Sequence, residues 1–179
     1  MDLDIERVSS AAQVDAVAQL AGRIWTAHYV PLIGQAQVDY MLDTVQSATA
    51  ISRQIATGHE YYLVRQADAY CGYFALHQQP TEAALQLSKI YVETERRRSG
   101  VGAAILSFVE VYARENEVKR IGLTVNRHNA VAIRFYEKQG FTKQGTVVQD
   151  IGNGFVMDDY RMVKHLPDET RPGSDSAEE

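Results

Sequence analysis

Residues 84–112, "ALQLSKIYVETERRRSGVGAAILSFVEVY", join a strand-like run to an amphipathic helix through three arginines and two glycines. Apolar residues from Val101 to Tyr112 recur at the spacing of one helix face. The first N–H groups of a helix have no internal partner, glycine lets an anion approach them closely, and arginine donors match phosphate oxygens. Two interpretations are therefore open: a phosphate-binding loop, or a tight turn with a solvated corner.

The segments on either side predict an α/β fold, a mixed sheet with helices on both faces. The order of strand, helix, strand, helix and strand in the C-terminal half requires at least one parallel pair, whereas hairpins require antiparallel pairs. Pro31 and Gly34 are predicted to end the first helix. The predicted strands cover 2–8, 60–65, 70–77, 84–93 and 119–125 and a hairpin around "GNG" at 152–154, and the predicted helices cover 14–28, 35–46, 48–57, 101–112 and 129–140.

Length and charge narrow the class of protein. The 179 residues suit one domain, predicted to span 1–166, followed by an acidic flexible tail at 167–179 that carries −4 of the net charge of −5. The remaining body lacks the broad basic surface that nucleic-acid binding needs. No apolar run approaches the ~20 residues of a membrane span, and no His, Cys and Asp cluster has metal-ligand spacing. The acidic N-terminus and the single Cys71 favour a cytoplasmic protein.

The glycine loop differs from two common nucleotide motifs and resembles a third. No Lys-Ser or Lys-Thr follows the second glycine, and no third glycine completes a dinucleotide fingerprint. "RRSGVG" at 97–102 and "NAVAIRFYEKQGF" at 129–141 resemble the two signatures of the GNAT superfamily of N-acetyltransferases, R/Q-x-x-G-x-G/A and N-x-x-A-x-x-F-Y-x-K-x-G-F. The resemblance covers roughly 60–165, and "LSKIYV" at 87–92 is similar to a bacterial branch that includes polyamine acetyltransferases. It implies a mostly antiparallel, twisted sheet of about seven strands, whose fourth and fifth strands form a splayed parallel pair.

The resemblance also implies acetyl-CoA as cosubstrate and a role for each motif residue. Tyr136 would donate a hydrogen bond to the departing thiolate, and Asn129 would bond the pantetheine arm. The alternatives are packing of Tyr136 beside Phe135 and helix capping by Asn129. Arg96 would reach the 3′-phosphate. Backbone groups near Ile90, Tyr91 and Val92 would bond pantetheine, and the pyrophosphate would lie on Arg97, Arg98, Ser99, Gly100, Val101 and Gly102.

The general base and the acceptor stay open at this point. The stretch "LQLSKIYV" carries no carboxylate, which leaves a water relay through Ser88 or Gln86, or a carboxylate from Asp158 or Asp159. The acceptor pocket is expected between residues 25–29 and the 150–160 hairpin. His28 lies either on a core edge or in this pocket.

The predicted function is acetyl transfer to a primary amine, either a polyamine or another small amine. The alternatives are peptide or protein amines and a non-catalytic acyl-CoA sensor, and a homodimer is left open. A polycation would be attracted by Asp150, Asp158, Asp159 and Glu60, which otherwise form a solvated strand edge.

Overall fold

The computed structural model describes residues 3–167, so the predicted tail lies outside the described residues apart from Pro167. The strands are β1 (Leu3–Arg7), β2 (His59–Gln66), β3 (Ala69–Gln79), β4 (Ala84–Val92), β5 (Arg120–Asn126), β6 (Thr142–Gly152) and β7 (Phe155–His165). The helices are α1 (Ala11–Ile33), α2 (Gln35–Thr44), α3 (Ala48–Ala56), α4 (Val101–Glu115) and α5 (Ala130–Lys138). Two single 3-10 turns, Pro80–Glu82 and Thr94–Arg96, were not predicted.

The strands form one sheet in the order β1-β2-β3-β4-β5-β7-β6. Every neighbouring pair is antiparallel except β4 and β5, which are parallel. Their pairing covers only Ala84–Gln86 against Arg120–Gly122, and beyond it the two strands diverge toward their C-terminal ends. The predicted mixed sheet, its splayed parallel pair and the hairpin at 152–154 are confirmed.

Helices cover both faces of the sheet, each over its own hydrophobic core. On one face, α1 buries Val17, Leu20 and Ile24 with side chains from α2, α3, β2 and β3. On the other face, α4 buries Ile105 and Val109 with side chains from α5 and the central strands. Neither core fills the space between the diverging ends of β4 and β5, so side chains from both faces of the sheet can approach each other there.

Helix α1 ends at Gly34, one of the two residues predicted to end it, and continues through the other, Pro31, to Ile33. The φ of +85° at Gly34 is readily adopted by glycine, and its N–H donates to the Val30 carbonyl at 2.9 Å. Pro31 lies in the last turn, so the single intrahelical hydrogen bond that it removes weakens only the end of the helix. The extra turn extends α1 beyond His28 and Tyr29.

Lys89 in β4 is a buried cation, 7% exposed. Its Nζ donates to Gln54 Oε1 at 2.8 Å, to the Val45 carbonyl at 3.3 Å and to the Tyr61 hydroxyl. Burial lowers its pKa from 10.5 to about 7. None of these partners is a carboxylate, so about half of Lys89 is neutral at pH 7 and most of it above pH 8, and in either form it ties the α2–α3 connection to the sheet.

Stability is therefore expected to rise with pH because of Lys89. Between pH 7 and 9 the unfolded chain keeps the lysine proton that the folded chain releases, so the free energy of unfolding increases by about 2 kcal/mol. Urea unfolding at both pH values measures this change. Lys89→Met should remove most of the increase, and an equal increase in both proteins would contradict the assignment.

Candidate active site

The divergence of β4 from β5 leaves backbone groups of β4 directed into a gap. The Glu93 N–H donates to the Cys71 carbonyl at 2.8 Å, which sets the alternation of hydrogen-bonded pairs between β3 and β4. By that alternation, the N–H and C=O groups of Ile90 and Val92 point away from β3 and into the gap. Those of Tyr91 point toward β3, so Tyr91 contributes to this region through its ring.

The loop before α4 presents unpaired N–H groups at a helix start. Gly100 is the N-terminal cap with a φ of +88°, and no side chain caps the helix. Arg98 also has a positive φ, +62°, and such alternation curls N–H groups into a concave, anion-binding surface. A Cβ on Gly102 would lie 3.0 Å from the Phe135 ring, so this glycine also permits close packing of α4 against α5. The geometry suits a phosphate beside Val101 and Gly102.

The guanidinium of Arg97 turns inward rather than toward solvent. Its Nε donates to the Val92 carbonyl at 3.2 Å and its Nη1 donates to His28 Nδ1 at 2.8 Å. Because arginine only donates, His28 accepts through an unprotonated Nδ1, and burial together with the Arg97 charge lowers the pKa of His28. His28 therefore lies at the site and not on a core edge. Ser99 Oγ donates to the Arg96 carbonyl at 2.6 Å and holds the loop closed.

Tyr136 lies on α5 at the gap, 6% exposed. Its ring packs against Phe141 at 5.7 Å and Phe135 at 5.4 Å between centroids, so the packing interpretation is part of its role. Burial, and then the neighbouring Tyr29 from the opposite face of the sheet, raise the pKa of Tyr136 well above 10. The hydroxyl consequently stays protonated at neutral pH and is available only as a hydrogen-bond donor or acceptor.

Asn129 both caps α5 and borders the gap. Its Oδ1 accepts from the Ala132 N–H at 3.2 Å, and the residue is 5% exposed. Its side chain also lies beside His28 and Tyr29, where it partly opposes the effect of burial, which lowers the pKa of His28 and raises that of Tyr29. The capping alternative is confirmed, and the same amide joins α1 to α5 at the site.

Aromatic rings and one carboxylate line the α1 side of the gap. Trp25 stacks on Tyr29 at 4.4 Å, and Tyr91 meets both rings edge-on at 5.4 and 6.0 Å. Asp159 of β7 is 6% exposed and shifts the pKa values of Tyr29 and Tyr91 upward. Burial, followed by the charge of Asp158, raises the pKa of Asp159 to about 6, against a hydrogen bond from Thr124 that lowers it.

The other predicted acids do not reach this pocket. Asp158 points to the opposite face and pairs with Arg127 at 3.0 Å, and the Asp150 carboxylate accepts from the Gly152 N–H at 2.8 Å within its own hairpin. Glu60 lies under α4, where it accepts from the hydroxyls of Tyr62 and Tyr112. The prediction of a pocket lined by four carboxylates is therefore wrong. Only Asp159 faces the aromatic rings.

Ser88, one option for a water relay, is engaged elsewhere. It forms a bulge in β4, where Ala75 and Leu76 of β3 pair with Lys89 and Leu87. Its hydroxyl donates to the Ala75 carbonyl at 3.2 Å, which leaves no donor for a relay. Gln86 belongs to the short paired part of β4, at the closed end of the gap.

Helix α2 closes the far side of the pocket by binding the β6–β7 hairpin. The Tyr40 hydroxyl donates to the Ile151 carbonyl at 2.6 Å, and Gln37 Nε2 donates to the Val156 carbonyl at 2.9 Å. The Tyr40 and Phe155 rings lie 5.3 Å apart between centroids. These contacts make a wall that limits the width of any molecule entering from this side.

Within residues 3–167, no three His, Cys, Asp or Glu side chains come together as a metal site. In the same part of the chain, no helix is both long and apolar enough to span a membrane.

The comparisons with known proteins agree with this geometry. Residues 23–141, about two thirds of the chain, match the acetyltransferase (GNAT) family, and the chain belongs to that family. Uncharacterized N-acetyltransferases of Mycobacterium bovis and Mycobacterium tuberculosis are 26% identical over 85% of this chain and 97% of their own length. The protein is therefore an N-acetyltransferase, and acetyl-CoA is its cosubstrate.

Solved structures share the fold at lower identity. The PaiA N-acetyltransferase from Thermoplasma acidophilum, in complex with coenzyme A, has a TM-score of 0.77 at 18% identity, over 93% of this chain and all of its own. A GCN5-related N-acetyltransferase from Rhodopseudomonas palustris has a TM-score of 0.78 at 12% identity, over 93% of this chain and 97% of its own. At such identities, these two likenesses describe the fold alone.

Proposed function

We propose that this enzyme transfers the acetyl group of acetyl-CoA to a primary amine on a small molecule, with Tyr136 and the β4 backbone at the reacting centre. The observation that carries the proposal is that Tyr136 of α5 and Asp159 of β7 both lie close to the Tyr91 hydroxyl of β4, beside the β4–β5 gap. Tyr136 keeps its hydroxyl proton, and Asp159 lies on the opposite face of the sheet from α5. Attack by an amine on a thioester needs a donor for the leaving sulfur and a place for the amine.

In this proposal, the cosubstrate is held by three groups of donors. The pyrophosphate accepts from the N–H groups of the 97–102 loop, chiefly Gly100, Val101 and Gly102, which no side chain caps. Pantetheine bonds the gap-facing backbone of Ile90 and Val92, with Asn129 across the gap. Arg97 currently donates to the Val92 carbonyl, so it must release that carbonyl and can then bind phosphate, a stronger, charged partner.

The chemistry follows from the direction of these groups. The amine nitrogen bonds the acetyl carbon, and the Val92 N–H donates to the oxygen on which negative charge develops. The C–S bond breaks as Tyr136 donates to the sulfur. A thiol has a pKa of about 8.5, and Tyr136 is a weaker acid than an ordinary tyrosine. Tyr136 therefore shares its proton with the sulfur and does not give it up.

The wall formed by α2 favours a small acceptor over a protein. Tyr40 and Gln37 tie α2 to the hairpin across the side from which a polypeptide would lie along the sheet. Of the four predicted acids, Asp159 alone faces the aromatic rings. A polyamine carries several separated cations that would each need a partner, so one carboxylate does not favour a polyamine over a monoamine.

The proposed function is tested by incubating the protein with acetyl-CoA and an amine panel while free thiol is measured. The panel contains 2-phenylethylamine, butylamine, spermidine and an alanine-terminated peptide. We expect amine-dependent thiol release, with a small monoamine giving kcat/KM at least equal to that of spermidine. Acetylation of the peptide alone would contradict the small-molecule proposal.

A further inference from the structure

We propose that Asp159 receives the ammonium group of the acceptor and takes its proton, and that the acceptor is a monocation whose carbon skeleton packs on Tyr29 and Tyr91. This inference deepens the proposed function and rests on it. It assigns the general base that the motifs leave open. It also gives the acceptor a chemical class: one primary ammonium group beside an apolar or aromatic body.

The first support is a buried carboxylate oxygen without a partner. Asp159 Oδ1 has no hydrogen-bond partner within the described residues, and only 6% of the residue is exposed. Burying an unpaired carboxylate is costly, so a stable fold retains one where a ligand completes it. The neighbouring Asp158 Oδ1 also lacks a well-aligned hydrogen bond, but Arg127 Nε lies 3.0 Å from it and balances its charge, whereas no cation pairs with Asp159 within the described residues.

The second support is the surface around that oxygen. Burial is the main cause of the raised pKa values of Tyr29 and Tyr91, and the nearby Asp159 charge adds a smaller upward contribution to each. Trp25 stacks on Tyr29, and Tyr91 meets both rings edge-on. Aromatic faces beside a carboxylate are the surroundings that bind organic ammonium ions. With a single carboxylate, the pocket neutralises one positive charge and offers apolar surface for the remainder of the molecule.

The proton balance of the step is complete with these groups. The acceptor enters as an ammonium ion with three N–H protons, and Asp159 takes the first and releases it to water. The neutral nitrogen bonds the acetyl carbon, the C–S bond breaks, and the second proton ends on the coenzyme A thiol. The third remains on the amide. The pKa of Asp159 near 6 makes it about a hundredfold stronger as a base than an ordinary aspartate.

The groups that face Asp159 set the form of its pH dependence. They are Tyr29 from α1, Tyr91 from β4 and Thr124 from β5, with Arg97 and His28 beyond Tyr29. Asp158 of β7 acts on Asp159 by its charge although its side chain lies on the opposite face. Burial raises the pKa of Tyr29 to about 12 and that of Tyr91 well above 10, so neither hydroxyl titrates near neutrality. Thus kcat/KM should rise with pH through about 6 and then level off while the amine stays an ammonium ion.

The kinetic test compares Asp159→Asn with the native enzyme across pH 5 to 9, using 2-phenylethylamine as acceptor. Without the carboxylate only the neutral amine reacts, and that fraction grows about tenfold per pH unit below its pKa. We expect kcat/KM of the variant to be about thirtyfold below that of the native enzyme at pH 7, about threefold below it at pH 8, and about equal to it by pH 8.5. The Michaelis constant for acetyl-CoA should not change.

Two further variants separate this role from a structural one. Thr124→Val removes the hydrogen bond that lowers the pKa of Asp159, so the acidic limb should move to higher pH. If titration of His28 caused the acidic limb of the profile, the limb would stay at the same pH in this variant. Glu60→Gln removes one negative charge on the other face and should leave the profile as it is. Asp159→Asn should melt no lower than the native enzyme at pH 8, because it removes a buried charge.

Binding without turnover tests the inference independently of the enzyme activity. Calorimetry with 2-phenylethylamine and the neutral 2-phenylethanol should show that Asp159→Asn weakens only the amine, by at least about tenfold. Equal loss for both ligands, or no amine binding to the native protein, would overturn the role of Asp159. Acetylation with identical pH profiles in both proteins would also overturn it and leave the proposed function standing. Ammonium binding through Asp159 without any acetylation would support the inference and refute the proposed function.

Discussion

Tyr136→Phe is expected to lower kcat by about a hundredfold while the Kd for acetyl-CoA changes little, because the ring and its packing are kept. The variant loses only the hydrogen bond to the departing sulfur, an interaction that strengthens as the C–S bond breaks. Single-turnover measurements with a saturating amine isolate the chemical step.

Tyr112→Phe is the matched control for Tyr136. It also removes one tyrosine hydroxyl from the α4–α5 face, but that hydroxyl bonds Gln78 and Glu60 away from the gap. Its kcat should equal that of the native enzyme. Equal single-turnover rates for Tyr136→Phe and the native enzyme would restrict Tyr136 to packing.

Gly100→Glu is expected to weaken acetyl-CoA binding about a hundredfold, equivalent to roughly 2.7 kcal/mol. Two effects add. A residue with a Cβ is strained at a φ of +88°, and a carboxylate at the start of α4 repels phosphate from the unpaired N–H groups. Equilibrium binding, followed by calorimetry, measures the change.

Two other substitutions divide that loss into its parts. Gly100→Ala carries the backbone strain without the charge and should weaken binding less. Gly145→Glu adds the same side chain at another positive φ, +139°, in β6 where nothing lies within 4 Å, and should leave binding unchanged. If a folded Gly100→Glu protein bound acetyl-CoA with native affinity, the assignment of the pyrophosphate to this loop would be wrong.

The parts of the molecule that could be predicted from the sequence are those set by neighbours along the chain. Gly100 and Tyr136 belong to runs whose strand-to-helix order and spacing are local, and the structure has the same elements. Gly34 ends α1 as predicted, and Pro31 lies inside its last turn because a helix tolerates proline better at its end than in its interior. Alternation places Glu60 on the same face of β2 as Tyr62, but only the packing of α4 shows that this face lies away from the pocket.

The choice between Asp158 and Asp159 could not be made in this way. Alternation along β7 places them on opposite faces, but which face meets α1 depends on the pairing of Asp159 with Asn126 in β5 and on where α1 packs. The hydrogen bond from Arg97 to His28 could not be predicted from the sequence either, because 69 positions separate the two residues.

The short contact between β4 and β5 also has a measurable consequence. Backbone hydrogen bonds join the halves β1–β4 and β5–β7–β6 only at Ala84–Gln86, and elsewhere the core under α4 holds the two halves together. A linear ligand bonded to Ile90 and Val92 would add backbone hydrogen bonds on one side of the gap. Amide hydrogen exchange at these two residues would then report how much of the protein carries the ligand.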